Sequence, residues 1–193
     1  MICHGWPGNE KNLDLAQAVR RAGWNAVTFN YRGSWGSQGE FHFVQVPEDA
    51  SAVIAWLRTP EVATKLGIDP ARIAIAGHSM GGWATAQVAS KDPTLMGAVL
   101  ISAADMARLG GMPRAARVQA ASGNAETLVT TPEKMADELT GAVKALTLKS
   151  MASGLSKLPV LVLSSDDGLA AGTDALAADI RGAGGKVQTA HEA

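Results

Sequence analysis

Gly77-His78-Ser79-Met80-Gly81-Gly82 is the segment of this chain whose residue types could do chemistry by themselves. A serine with glycines two positions away on either side, in the pattern G-x-S-x-G, suits a nucleophile held on a strained turn from strand to helix. The spacing has a steric reason, since neighbours without Cβ atoms let strand and helix pack closely around the serine. A helix that starts just after the serine aims its first N–H groups at the place where an oxyanion forms. The chemistry implied is attack on an acyl carbon and formation of an acyl-enzyme. The flanking sequence supplies the context: Arg72 to Ala76 (RIAIA) is a buried-type strand, and a helix is predicted from about Gly81 to Ser90. Without that context the motif is a glycine-rich turn with an incidental serine.

A second element, His4-Gly5-Trp6-Pro7-Gly8, ends the short apolar run Met1 to Cys3. In serine hydrolases built this way, one oxyanion donor is the N–H after the nucleophile and the other comes from a loop after an earlier strand. Those donors would be Met80 and Trp6. A strand-end loop with glycines and proline is also ordinary punctuation, so the two motifs gain weight from each other.

The elements needed to position these residues alternate in period. Leu13 to Ala22 has helical spacing, Asn25 to Asn30 reads as a strand, and Pro47 to Arg58 sets Ala50, Val53, Ile54 and Leu57 on one helical face. After the motif come strands at Ala98 to Ser102 and Val160 to Ser164, a helix over Ala170 to Arg181 and a short strand at Lys186 to Thr189. Near-continuous apolar strands separated by helices predict an α/β fold with a mostly parallel sheet and helices on both faces. Thr131-Pro132-Glu133 is a good helix start, so helices are expected over 132–140 and 142–152. One domain over 1–193 follows, with a core of 1–102 and 159–193 and a small helical insertion at about 103–158. Met106, Met112, Met135 and Met151 in that insertion suit either an apolar acyl site or, more commonly, helix cores.

HGWPGN (4–9), NYRGSWGS (30–37), GHSMGG (77–82) and VLVLSSDDGL (160–169) together resemble the α/β-hydrolase family, most closely its prolyl-oligopeptidase-like and dienelactone-hydrolase-like branches. The resemblance covers essentially the whole chain. It implies that Ser79 is the nucleophile and that an acid follows the strand Val160 to Ser164. Asp166 and Asp167 both qualify; Asp167, immediately before Gly168, is favoured. Arg32, in NYRGSWGS, is expected to be structural. Of the four histidines, only His191 follows the acid in the order Ser, Asp/Glu, His that this fold uses. His191 directly extends the last strand, whereas the family's base comes from a loop beyond it. The better expectation is that the base lies beyond Ala193. Met1 to Cys3 is likewise short for a strand, so the chain reads as an internal piece of a longer hydrolase, truncated at both ends.

The expected function is a serine hydrolase cleaving carboxylic esters of small molecules. The alternatives are a peptidase of prolyl-oligopeptidase type, acting on peptide-like substrates, and a hydrolase-fold fragment without its general base. Composition sets the outer limits: 193 residues are 47% hydrophobic and 18% charged, with net charge −1. A chain so apolar folds, and its lack of a basic run offers no footprint for nucleic acid or an acidic membrane. One cysteine excludes a disulfide-stapled domain and points weakly to a cytoplasmic location. No metal or other cofactor is expected, since the His and Cys residues are scattered and neither H-E-x-x-H nor a dinucleotide fingerprint occurs. Gly182-Ala183-Gly184-Gly185 follows a helix and is a helix stop.

Overall fold

The computed structural model describes residues 1–141, 143 and 146–192. Five strands form one parallel sheet in the order β1 (Ile2–Cys3), β2 (Ala74–His78), β3 (Gly97–Ile101), β4 (Val160–Ser165) and β5 (Val187–Glu192). The order in the sheet is the order in the chain, so every connection is a crossover. Between β1 and β2 lie α1 (Leu13–Arg21), α2 (Gln45–Leu57) and α3 (Pro60–Leu66); α4 (Met80–Lys91) joins β2 to β3 and α9 (Ala170–Gly182) joins β4 to β5. The α/β fold class is as expected.

Segment 25–30 differs from expectation. It is extended and lies beside β1, held by the single parallel bridge Ile2↔Thr28 and by Ile2 N–H to Val27 O at 2.8 Å. A ladder needs a partner of matching length, and β1 offers two residues.

The core lies between the sheet and one helical layer. Ile75, Leu100, Val160 and Val162 are buried, with Trp83 of α4 and Leu176 and Ile180 of α9. Here α4 packs on β2, β3 and α2, and α9 packs on β4. The alternate residues of the strands are half-exposed. On that side Val19 of α1 and Ala22, just after it, line a cleft of about 580 Å³ shared with Ala74, Ala76 and Val99.

The stretch 103–158 holds more helix than the two segments expected. It contains α5 (Met106–Leu109), α6 (Arg114–Ser122), α7 (Pro132–Glu138) and α8 (Leu148–Leu155). As its sequence predicts, α7 has Thr131 as cap, Oγ1 accepting from Lys134 N–H at 3.2 Å. The expected start of the following helix falls on 142, 144 and 145, outside the described residues; the observed one begins at Leu148, capped by Thr147. α8 packs between α4 and α9. It therefore lies in the helical layer. Met106, Met135 and Met151 are buried in the core, and Met112 is exposed.

Candidate active site

Ser79 stands between β2 and α4 with φ 54° and ψ −120°, a conformation rarely adopted by residues with side chains. Three backbone bonds over-determine it: Ser79 N–H to Ile101 O at 3.0 Å, Trp83 N–H to Ser79 O at 3.1 Å and Ala104 N–H to Ser79 O at 3.0 Å. The flanking glycines do what the motif requires. A Cβ on Gly77 would run into the Gly81 backbone, and one on Gly81 into the carbonyls of Cys3 and His4. The turn is thus pressed against the end of β1.

That contact places the His4–Gly8 loop beside the serine. A Cβ built on Gly5 would lie 3.3 Å from Ser79 Cβ. Met80 is the first residue of α4, so its N–H has no partner within the helix. Trp6 is half-buried, edge-on to Phe43 at 5.3 Å between ring centres, and its Nε1 is buried without a protein partner.

His4 holds this loop from beneath. Its Nδ1 lies 2.8 Å from Gly5 O, which can only accept, so Nδ1 carries the proton. Tyr31 Oη–H donates to His4 O at 3.1 Å, and the two rings meet tilted by 53° with centres 4.5 Å apart. Burial pushes the His4 imidazole below its ordinary value, against the bond to Gly5, with Lys11 adding to the depression. His4 is a neutral prop. Burial also raises the Cys3 thiol to about 11 and the Tyr31 phenol well above its usual range, so neither is a nucleophile at neutral pH.

The two acids after β4 point to different partners. Asp167 Oδ2 accepts from Ser165 Oγ–H at 3.1 Å and Oδ1 from Leu169 N–H at 2.8 Å. Desolvation pushes the Asp167 carboxyl up, but hydrogen bonds led by Ser102, with Leu169 and Ser165, carry it below the usual carboxylate value. Asp166 Oδ1 instead lies 3.3 Å from His191 Nε2.

The structure does not bring His191 to Ser79. His191 is paired in register with Ser164 on β5, and its Nδ1 lies 3.0 Å from Ser164 Oγ, which donates to Asp174 at 3.0 Å. β5 is three strands from β2, and strand spacings of about 4.8 Å put roughly 14 Å between them. The reason is the one visible in sequence: the residue continues a strand and cannot turn back over the sheet.

His42 lies between Glu40 (3.7 Å) and Glu138 (3.6 Å), and His78 flanks the Gly5 loop. Arg32 is tied to Asp49 and Glu48 on α2, a structural role. Among the described residues, no group of three His, Cys, Asp or Glu side chains is placed to hold a metal ion, and no helix is long and apolar enough to cross a membrane. Sequence reasoning missed Ser102 and Ser165, whose only signal is a serine at the end of an apolar strand.

Comparison with known proteins matches residues 7–165 to the family model described as X-Pro dipeptidyl-peptidase (S15 family). A 31.7 kDa uncharacterized protein of Escherichia coli, from the traX-finO intergenic region, is 34% identical over 97 residues, or 48% of this chain and 32% of that one. An uncharacterized protein of Mycobacterium tuberculosis is 31% identical over 94 residues, with the same coverages of 48% and 32%. The matched segment thus spans about a third of the curated relatives. Among solved structures, a fungal esterase of Rhizomucor miehei superposes with TM-score 0.67 at 19% identity, covering 99% of this chain and 63% of that one. The thermostable carboxylesterase EstE1 from a metagenomic library gives 0.67 at 22%, covering 99% and 68%. These likenesses show the α/β-hydrolase fold.

Proposed function

The chain belongs to the X-Pro dipeptidyl-peptidase (S15) family, and from that premise we propose that it is a serine hydrolase cleaving carboxylic esters of small molecules. The observation that carries this is the strained Ser79 at the head of α4 with the Gly5 loop against it. In this reading Ser79 Oγ bonds to the acyl carbon and gives its proton to a base. The N–H groups of Trp6 and Met80 hold the oxyanion, the alcohol leaves with that proton, and water then frees the acid. Asp167 is the acid that orients the imidazole; Asp166 is engaged with His191 instead. The 193 residues act as one hydrolase domain, in which α5–α7 form a cap-like addition.

Esterases among the proteins sharing the fold support an ester over an amide. The family's description supports the second reading, a peptidase working through the same acyl-enzyme. Short p-nitrophenyl esters tested against X-Pro nitroanilides separate the two.

A fluorophosphonate probe tests the nucleophile directly. With oxyanion donors present and no imidazole brought to it among the described residues, Ser79 is expected to label slowly. Labelling should vanish in Ser79→Ala and persist unchanged in His191→Ala. Loss of labelling in His191→Ala would make His191 the base and require β5 to rearrange.

A further inference from the structure

We propose that Ser102 is a positioning residue that fixes Asp167 relative to Ser79, its flanking backbone gripping the nucleophile turn while its hydroxyl holds the acid through Ser165. This rests on the assignment of Ser79 and Asp167 made above.

Ser102 is the residue directly after β3, the strand that lies between those leading to the two groups. It is buried, 4% exposed, and has φ 41°. Such strain persists where surrounding structure over-determines it, and it concentrates at functional sites. The surrounding bonds are identifiable. Ser102 N–H donates to Leu163 O at 2.8 Å, anchoring the residue to β4. Ile101 O accepts from Ser79 N–H and Ala104 N–H donates to Ser79 O, so the residues around Ser102 clasp both sides of the Ser79 peptide. A Cβ on Gly82 would stand 2.8 Å from Ala103 Cβ, so the clasp also sits tight on the first turn of α4.

The side chain faces the other way. Ser102 Oγ lies 3.3 Å from Ser165 Oγ, which donates to Asp167 Oδ2 at 3.1 Å. With Leu169 N–H on Oδ1, the carboxylate is held on both oxygens and keeps its charge. Its neighbour Asp166 is turned to His191, so the two acids do not compete for these donors. One strained residue therefore sets a distance that neither Ser79 nor Asp167 controls alone.

The test uses the whole chain with 13C-labelled aspartate. The Asp167 carboxyl is titrated by NMR in wild type, Ser102→Gly, Ser102→Ala and Ser165→Ala. Glycine suits φ 41° and alanine does not, so the two Ser102 variants differ in strain and share the loss of the hydroxyl. Both are expected to raise the Asp167 midpoint by about half a pH unit or more, as is Ser165→Ala. Ser102→Gly, which relieves the strain that serine and alanine share, should melt above Ser102→Ala. An unchanged midpoint in the Ser102 variants overturns the proposal. So does a midpoint that moves in Ser102→Gly alone, which would make the relaxed backbone and not the lost hydroxyl the cause. Fluorophosphonate labelling that survives Ser79→Ala overturns the assignment of the nucleophile, and with it the positioning role, whatever the titration shows.

Discussion

Ser79 holds a backbone conformation that costs on the order of 1–3 kcal/mol for a residue with a side chain. Glycine adopts it freely, so Ser79→Gly is expected to stabilise the protein by about 1 kcal/mol while abolishing probe labelling. Urea denaturation measures the first and mass spectrometry the second; a destabilised Ser79→Gly would mean that the side chain supports the fold. His4 contributes in the opposite sense, through protons. Burial depresses its imidazole below the ordinary value of 6.5. Above that pH both folded and unfolded chains carry it neutral. Below it the unfolded chain takes up a proton that the folded one refuses, so stability falls as pH drops through 6.5. Asp167 acts lower down: its folded value lies under 3.8, so its contribution is present above 3.8 and is lost as pH falls through the folded value. Urea midpoints from pH 8 to 5 should fall in wild type and flatten in His4→Asn, whose amide can still donate to Gly5 O. An equal fall in both would remove His4 as the cause.

Arg117 ties α5, α6 and α7 together. It is 7% exposed, and its guanidinium donates to Ala136 O at 2.9 Å, to Gly110 O at 3.2 Å and to Met112 O. Two of these carbonyls follow α5, where the helix dipole favours a cation. Arg117→Leu removes their donor, at about 1–3 kcal/mol for a carbonyl that stays buried and unpaired, as that of Ala136 does. Hydrogen exchange should quicken in α6 and α7 and stay slow in β2 and α4; uniform quickening would mean that these helices unfold with the core. This helix is also where the sequence is least legible. α6 buries Arg117 and Ala121 alone, so RAARVQAAS shows no apolar face from which a helix could be read. The helices over 47–58 and 170–181 bury apolar residues at helical spacing, and α7 announces itself through Thr131-Pro132; all three are found. The site divides the same way. G-x-S-x-G names Ser79 because the turn needs those glycines, whereas nothing local to AVLIS marks the φ of Ser102, which is set by β4 and by the Ser79 turn.

Across the whole molecule the two faces of the sheet are unequal. Parallel sheets are ordinarily covered on both sides, and the apolar strands suggest that here. One face, carrying Ile75, Leu100 and Val162, is fully buried under α4, α8 and α9. The other, carrying Val99, Ile101, Leu161 and Leu163, is half-exposed, and clefts of about 580 and 480 Å³ run along it. Trp24 and Met96, each 42% exposed, stand at the second cleft. α1 reaches the first cleft through Val19, and does not line the second. Identical truncations on the two faces should therefore differ. Leu100→Ala removes a side chain packed on all sides and is expected to cost about 2–5 kcal/mol. Leu161→Ala, at the half-open face, leaves a hollow that water can enter, so its cost should stay within about 1 kcal/mol. Urea denaturation of the two variants at low protein concentration measures the difference. Equal losses would mean that Leu161 is as dry in solution as Leu100, and that the half-exposed face is covered there.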